Sequence, residues 1–294
     1  MPTLKAIRRR ISSVKSTQQI TRAVKLISAA RLRRAQEALM NARPYSEALS
    51  RLADSLLGED KTALAPAESA QDAALIVLIA SDRGQCGAYN VNMIKLAEEK
   101  VQENESAGRQ TRIFVVGRKA VDHFKRNKIA LAGDRINNPR LANVGLARDI
   151  ANYMMASFRG GEVSEVGLIY SKFRSAISQR PLYERVLPIS AEGESPENGA
   201  SGRESSQPIE YLVEPSRAEL VPLVVKSYVE EAVFHGLLEA EASEHGARMT
   251  AMENATNNAT EMIGSLTLEM NRARQAQITR ELMDIVGGAE ALRG

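Results

Sequence analysis

The sequence predicts an α/β protein with a long coiled coil: an antiparallel two-stranded coiled coil of N- and C-terminal helices, carrying a small central α/β, Rossmann-like domain. Three observations predict it. Residues 4–57 and 217–292 carry apolar stripes at helical spacing, each interrupted by one proline, Pro44 and Pro222. The middle alternates short apolar runs with short helical patterns. Aromatics are scarce, with 5 Phe, 7 Tyr and no Trp. The core must then be built from Ala, Leu, Ile, Val and 10 Met, which favours helix-on-helix packing over a sandwich or barrel.

In the first helix, Leu4, Ile7, Ile11 and Val14 step by 3, 4 and 3, as in a coiled-coil seam. After the polar step Thr17–Gln19 the stripe is expected to resume at Ile20, Val24 and Ile27 and to continue through Leu49, Leu52 and Leu56. Pro44 is a place for a kink and Gly58 a plausible stop. At 1.5 Å per residue such a helix is roughly 80 Å long. Residues 58–72 read as a linker. Strands are then expected at Ala73–Ala80, Thr111–Val116, Val166–Ser171 and Pro181–Ile189, with helices at Val91–Glu105, Lys119–Asn127 and Leu141–Phe158. This is the pattern of a mainly parallel sheet. Residues 191–208 (AEGESPENGASGRESSQP) read as a flexible surface insertion. From Arg217 the helical period returns. Val225, Val229, Val233, Leu237, Met249, Met252, Met262, Leu266, Met270, Ile278, Leu282 and Ile285 lie on or near one stripe, and Gly287–Gly288 is where the helix is expected to end or fray. The domains are therefore 1–57, 73–190, the insertion 191–208, and 209–294. So small a central domain cannot bury both stripes, so the end helices are expected to pack on each other. Small residues at Ala23, Ala29, Ala30, Ala255, Ala259, Ala273 and Ala276 permit close approach.

Composition excludes several function classes. The longest apolar run, Ala73–Ala80, is far short of the roughly 20 residues of a membrane-spanning helix. The opening segment has no apolar run of the signal-peptide kind, so export is not expected. A single cysteine, Cys86, excludes an internal disulfide and fits a reducing compartment. Net charge is only +3, but residues 1–36 hold ten Lys or Arg and no acid, whereas Ser227–Met270 holds eight Glu and one Arg. The basic helix suits nucleic-acid phosphates or an acidic protein surface. Its apolar seam runs through the basic region, and no aromatic precedes Tyr45 to stack on bases.

Candidate chemical motifs are few. The turn Ser81–Asn90 (SDRGQCGAYN) follows a strand and precedes a helix, where glycines can cradle a phosphate, but it matches neither GxGxxG nor GxxxxGK[ST]. Cys86 has no nearby histidine to activate it. Glu241 with His245, and His235 with Glu239, are four apart and each offers a metal two ligands, without a third in reach. No catalytic constellation is expected, and no cofactor or metal.

Three segments together resemble a known family: LKAIRRRISSVKSTQQITRAVKLISAARLRRAQ at the start, SDRGQCGAYN in the centre, and LTLEMNRARQAQITRELMDIVGGAEAL at the end. They resemble the γ subunit of rotary proton-translocating ATP synthases. The resemblance covers essentially the whole chain except residues 191–208. It implies a non-catalytic rotor shaft, one copy per complex, turning inside three α and three β subunits and meeting the ε subunit and the membrane c-ring. It implies no nucleic acid, no direct membrane insertion, and a peripheral place at the cytoplasmic face of the bacterial inner membrane. By motif position, Arg248, Arg274, Gln275 and Thr279 are implied contacts to the α/β head, and Tyr211 and Glu214 contacts to the c-ring. An apolar collar of Ile278, Leu282, Ile285 and Val286 is expected to serve as a bearing. Relatives often carry Met where this chain has Val24, and no contact specific to that Met is transferred. The alternatives are a basic helical DNA-binding or scaffold protein and, more distantly, an enzyme built on the α/β domain.

Overall fold

The computed structural model describes residues 3–57, 71–138, 141–189, 214 and 216–291. The elements are α1 (Leu4–Leu57), β1 (Ala73–Ile79), α2 (Tyr89–Ser106), β2 (Gln110–Val116), α3 (Arg118–Arg126), β3 (Gly133–Arg135), α4 (Val144–Arg159), β4 (Glu165–Phe173), β5 (Gln179–Leu187) and α5 (Arg217–Ala291). The long terminal helices and the alternating centre are as the sequence predicts. Two compact units divide the chain, residues 29–248 and residues 1–28 with 249–294, and α1 and α5 contribute to both. The insertion 191–208 and the Gly58 stop lie outside the described residues.

In the unit 29–248, the five strands form one sheet in the order β3-β2-β1-β4-β5. β1 pairs in parallel with both β2 and β4, β3 joins β2 in parallel, and β5 returns antiparallel beside β4. All seven residues of β1 are buried, as expected of a central strand covered on both faces. The strand period of two sorts them. Ala73, Leu75, Val77 and Ile79 enter one core with Ile150 and Met154 of α4 and Val229, Val233 and Leu237 of α5. Ile76 and Leu78 enter the other, with Met93 of α2 and Phe124 of α3. The short edge strand β3 has no apolar run and is absent from the sequence-based expectation.

α5 does more in this unit than pair with α1. Gly236 lets it settle on the sheet, because a Cβ there would lie 2.6 Å from Leu168 Cδ2. Gly236 to Ala240 are buried in succession, all round the helix. Beside it Leu49, Ala53 and Leu56 of α1 pack on Val221, Val224 and Val225. The Arg217 guanidinium donates to the Leu56 carbonyl at 2.6 and 3.2 Å, satisfying one of the orphan acceptors at the end of α1. Pro44 is exposed and α1 runs through it without a break.

In the unit formed by 1–28 and 249–294, the two helices pair antiparallel. Gln18 Nε2 donates to Thr260 Oγ1 at 2.7 Å, the Thr21 and Thr256 hydroxyls meet at 2.8 Å, and Lys25 Nζ reaches Glu253 Oε1 at 2.6 Å. The seam positions of α1 are Leu4, Ile7, Ile11, Val14, Gln18, Thr21, Lys25 and Ser28, with the expected Val24 half-buried beside them. Those of α5 are Met249, Met252, Thr256, Ala259, Ile263, Leu266, Met270 and Ala273, flanked by half-buried Thr250, Ala251, Ala255, Thr267 and Asn271. Both sets step by threes and fours without a fault, the signature of a heptad seam.

That seam corrects the expected one. Ile20 and Ile27 are 60% and 54% exposed, while Thr21 and Ser28 are 8% and 2% exposed. Met262 is exposed and Ile263 takes its place, and Ala23, Ala30 and Ala276 are also exposed. The seam holds its 3.5-residue phase through a polar middle instead of detouring to the nearest isoleucine. Polar seam layers cost apolar burial and fix register. A shift along the seam would set Thr21 and Gln18 against apolar side chains. Of the two expected outcomes at Gly287–Gly288, an end or fraying, the helix does not end there: α5 runs on to Ala291. Glycine lowers helix propensity by about 1 kcal/mol without forbidding it, and neither glycine takes the left-handed conformation that closes a helix.

Candidate functional site

In an open α/β sheet a ligand binds beyond the C-terminal ends of the strands, where strand order reverses. Here that place is the β1–β4 boundary, next to the turn Ser81–Asn90. α5 fills it. The Ser243 hydroxyl donates to the Ser171 carbonyl at 2.8 Å, and the Phe173 amide donates to Glu239 Oε2 at 2.7 Å. The Tyr89 hydroxyl reaches the Ala240 carbonyl at 3.4 Å.

The turn is built for the opposite of phosphate binding. A phosphate cradle aims backbone N–H groups inward. This turn aims carbonyls at a cation: the Arg248 guanidinium donates to Gly84 O at 3.2 Å and to Arg83 O at 3.4 Å. Glu244 Oε1 holds the same guanidinium from the helix side at 2.7 Å. Arg248 is 7% exposed, so this pairing is almost dry. Within the turn, the Ser81 hydroxyl donates to Arg83 O at 2.6 Å, and Asn90 accepts from the Ser81 amide at 3.0 Å while its Nδ2 donates to Cys86 Sγ at 3.2 Å. Gln85 and Gly87 adopt positive φ of 64° and 58°. Asp82 accepts from the amides of Arg118 and Asn138 at 2.8 and 3.0 Å, tying the turn to the start of α3.

Electrostatics follow from burial. Desolvation pushes the Cys86 thiol up, with the nearby Arg248 charge opposing it. Desolvation also lifts the Glu244 carboxyl above the usual range, and Arg248 offsets only part of this. His245 is driven down to about 4, by burial first and then by Arg248 and Arg31. It is therefore neutral near pH 7 and its Nδ1 lies 3.3 Å from Arg248 Nη1 as an acceptor. The cysteine is thus a packed thiol under a turn, without a base beside it.

Of the two acid–histidine candidate pairs, one comes apart. Glu241 Oε2 accepts from the Ala142 amide at 2.9 Å, whereas His245 faces Arg248. His235 and Glu239 do meet, at 3.7 Å. The Arg248–Glu244 clamp on the turn is absent from the sequence-based expectation. Its signal was the lone Arg248 in an otherwise acidic stretch of α5, four residues after Glu244.

A second feature lies in the unit formed by 1–28 and 249–294. The antiparallel pairs place Leu4 opposite the region of Ala273, and from Arg274 to Ala289 every residue of α5 is exposed. Arg274, Gln275 and Thr279 lie on this stretch, with Thr279 donating to the Gln275 carbonyl at 3.0 Å. So do Ile278, Leu282, Ile285 and Val286; Leu282 and Ile285 are 56% and 68% exposed. An apolar cluster left in water at a helix end marks a surface awaiting a partner. Glu214 is exposed, and Tyr211 lies outside the described residues.

The turn and the exposed tip fall in the segments that carry the resemblance, and comparison with known proteins agrees along the whole chain. The family model described as ATP synthase matches residues 3–292. The ATP synthase gamma chain of Pelotomaculum thermopropionicum is 43% identical over 99% of this chain and the whole of its own length. That of Geobacter metallireducens is 44% identical over the full length of both. Among solved structures, a chain from the central stalk and c-ring of the Tetrahymena thermophila mitochondrial ATP synthase superposes with a TM-score of 0.62 at 25% identity, covering 80% of this chain and 99% of that one. A chain of the Euglena gracilis mitochondrial ATP synthase shares the fold, with a TM-score of 0.68 at 23% identity over 98% of this chain and 94% of that one. A sheet whose ligand crevice is filled by its own helix, and a heptad-paired terminus with a bare apolar tip, are thus the features of a chain that belongs to the ATP synthase gamma chain family.

Proposed function

We propose that this chain works as the rotor shaft of an ATP synthase, coupling proton flow to ATP synthesis and hydrolysis by turning inside a ring of three α and three β subunits. As a gamma chain it is a non-catalytic subunit, and nucleotide chemistry belongs to the β subunits. The observation that carries the reading is the full-length family match together with the unpartnered tip from Arg274 to Ala289. A single shaft cannot match a three-fold ring symmetrically. It therefore presents a different face to each β subunit, and only such differential contact shifts a neighbour's conformational equilibrium. About 5.5 kcal/mol of difference carries a two-state subunit from 1:99 to 99:1.

In this reading Arg274, Gln275 and Thr279 contact the α/β head. Ile278, Leu282, Ile285 and Val286 form a low-friction bearing, where apolar side chains slide without hydrogen bonds to break. The α1 cations face acidic segments of the β subunits. Arg248 supports the head contact, and Tyr211 and Glu214 meet the c-ring. The ε subunit completes the stalk, one copy of this chain serves each complex, and the assembly sits at the cytoplasmic face of the bacterial inner membrane. The absence of any helix long and apolar enough to cross a membrane, among the described residues, is compatible with a peripheral place. The test is reconstitution: purified α and β subunits with and without the chain. The reading expects a stable complex holding one copy and ATPase activity that depends on it. Failure to bind α and β, with retardation of duplex DNA instead, overturns it.

A further inference from the structure

The geometry assigns Arg248 a positioning role: it holds the turn Ser81–Asn90 against α5, and it acts on partner subunits through that turn instead of by direct contact. This deepens the rotor reading and rests on it for its consequence in the complex, but not for the latch itself. Three observations carry it. The guanidinium is 7% exposed, so little of it is available to another chain. Its donors are committed to the Arg83 and Gly84 carbonyls, to Glu244 and to His245. What the latch presents outward is the turn: Arg83, Gln85, Gly87 and Ala88 are all exposed. Beneath the turn Cys86 is 1% exposed, packed with Tyr89 and Met93. The positive φ of Gln85 is unfavourable for a residue with a side chain. A turn in that conformation needs outside support, and Arg248 supplies it from the helix.

Cys86 is the only cysteine in the chain, so its labelling reports on the turn alone. The experiment measures the rate of thiol labelling in the full chain for the native protein, Arg248→Gln and Arg248→Lys, across pH and at several sub-denaturing urea concentrations. A positioning role predicts labelling about 10- to 100-fold faster in R248Q, the factor expected from losing charge-assisted hydrogen bonds that keep a segment closed. R248K, which keeps the charge but not the fork, should fall between. The accelerated labelling should be nearly independent of urea, since local opening exposes little surface. The apparent thiol pKa should fall towards its ordinary value as water reaches the sulfur. If Arg248 contributes charge only, R248Q labels more slowly, because the cation opposing the raised thiol pKa is gone. That result, or an unchanged rate, overturns the proposal. A second measurement in the α/β complex separates it from the rotor reading: chain-dependent ATPase should fall in R248Q in step with turn opening and recover partly in R248K. Loss of ATPase with Cys86 still protected assigns Arg248 to direct contact. No chain-dependent ATPase even in the native protein counts against the rotor reading and leaves the labelling result to judge the latch.

Discussion

Two glycines on α5 receive the same substitution and should answer with opposite signs. Gly236 rests on the sheet: an added Cβ would meet Leu168 Cδ2 at 2.6 Å, Tyr170 Cδ1 at 3.4 Å and Ile79 Cδ1 at 3.5 Å. Leu168 and Ile79 are fully buried and Tyr170 nearly so, so the leucine end has no free space to turn into. Overpacking of this kind costs about 1–3 kcal/mol. Against it stands the helix-propensity gain of Gly→Ala, about 1 kcal/mol. Gly236→Ala is therefore expected to destabilise the unit 29–248 by a net amount of about 1 kcal/mol, or about 2–4 °C in Tm for a domain of this size. At Gly264 a Cβ would meet nothing within 4 Å. Gly264→Ala keeps the propensity gain alone and is expected to stabilise its unit by up to about 1 kcal/mol. Urea unfolding followed by circular dichroism, with hydrogen exchange to localise the change, reads both. Equal signs at the two positions would refute the claim that α5 lies directly on the sheet at Gly236 and is open at Gly264.

The polar middle of the seam should behave as a coupled pair. Each hydroxyl carries one proton, so one of Thr21 and Thr256 donates to the other while its partner donates to a carbonyl of its own helix, Gln18 or Met252; with one removed, the remaining hydroxyl still has that carbonyl as acceptor. A T21V/T256V double-mutant cycle is expected to show a coupling of about 1 kcal/mol, and a value indistinguishable from zero would remove the contact from the account. Burial raises Glu231 above the usual carboxylate range; the hydroxyl that Ser46 donates to it opposes this, and repulsion from Glu184 adds to it. A group that binds its proton more tightly when folded contributes stability below its unfolded pKa and loses it as pH rises through the folded pKa. Glu231→Gln, which keeps an acceptor for Ser46, should thus be more stable than the native chain at about pH 8 and match it at about pH 4. A gain independent of pH would contradict the burial argument. At the tip, Leu282→Gln with Ile285→Gln should leave Tm unchanged, because both side chains are exposed. Chain-dependent ATPase and rotation should change, and unaltered rotation and assembly would dismiss the bearing.

Much of this architecture was legible in the sequence because long helices declare themselves by period. α1 emerges at its expected limits and α5 at its expected start, and β1, β2 and β4 are apolar enough to read directly. The seam misled where chemistry and phase disagree. Ile20, Ile27 and Met262 are the apolar choices, yet strict 3-4 stepping from Ile7 reaches Gln18, Thr21, Lys25 and Ser28, and the structure follows the stepping. β3, a Gly-Asp-Arg segment, has no local strand signal and exists because β2 offers it an edge. The Arg248 clamp is a meeting of residues some 160 positions apart. Period carries no information about that, although a lone cation in an acidic helix was a hint.

In the rotor reading, one lopsided shaft sets the conformations of three catalytic neighbours in turn. Single-molecule observation of a probe fixed to an exposed residue of the sheet unit, in a complex with surface-held α and β subunits, tests it most directly. Turning under ATP should be unidirectional, with three evenly spaced dwells per revolution. ATP hydrolysis that proceeds at full rate while the probe stays still would contradict it.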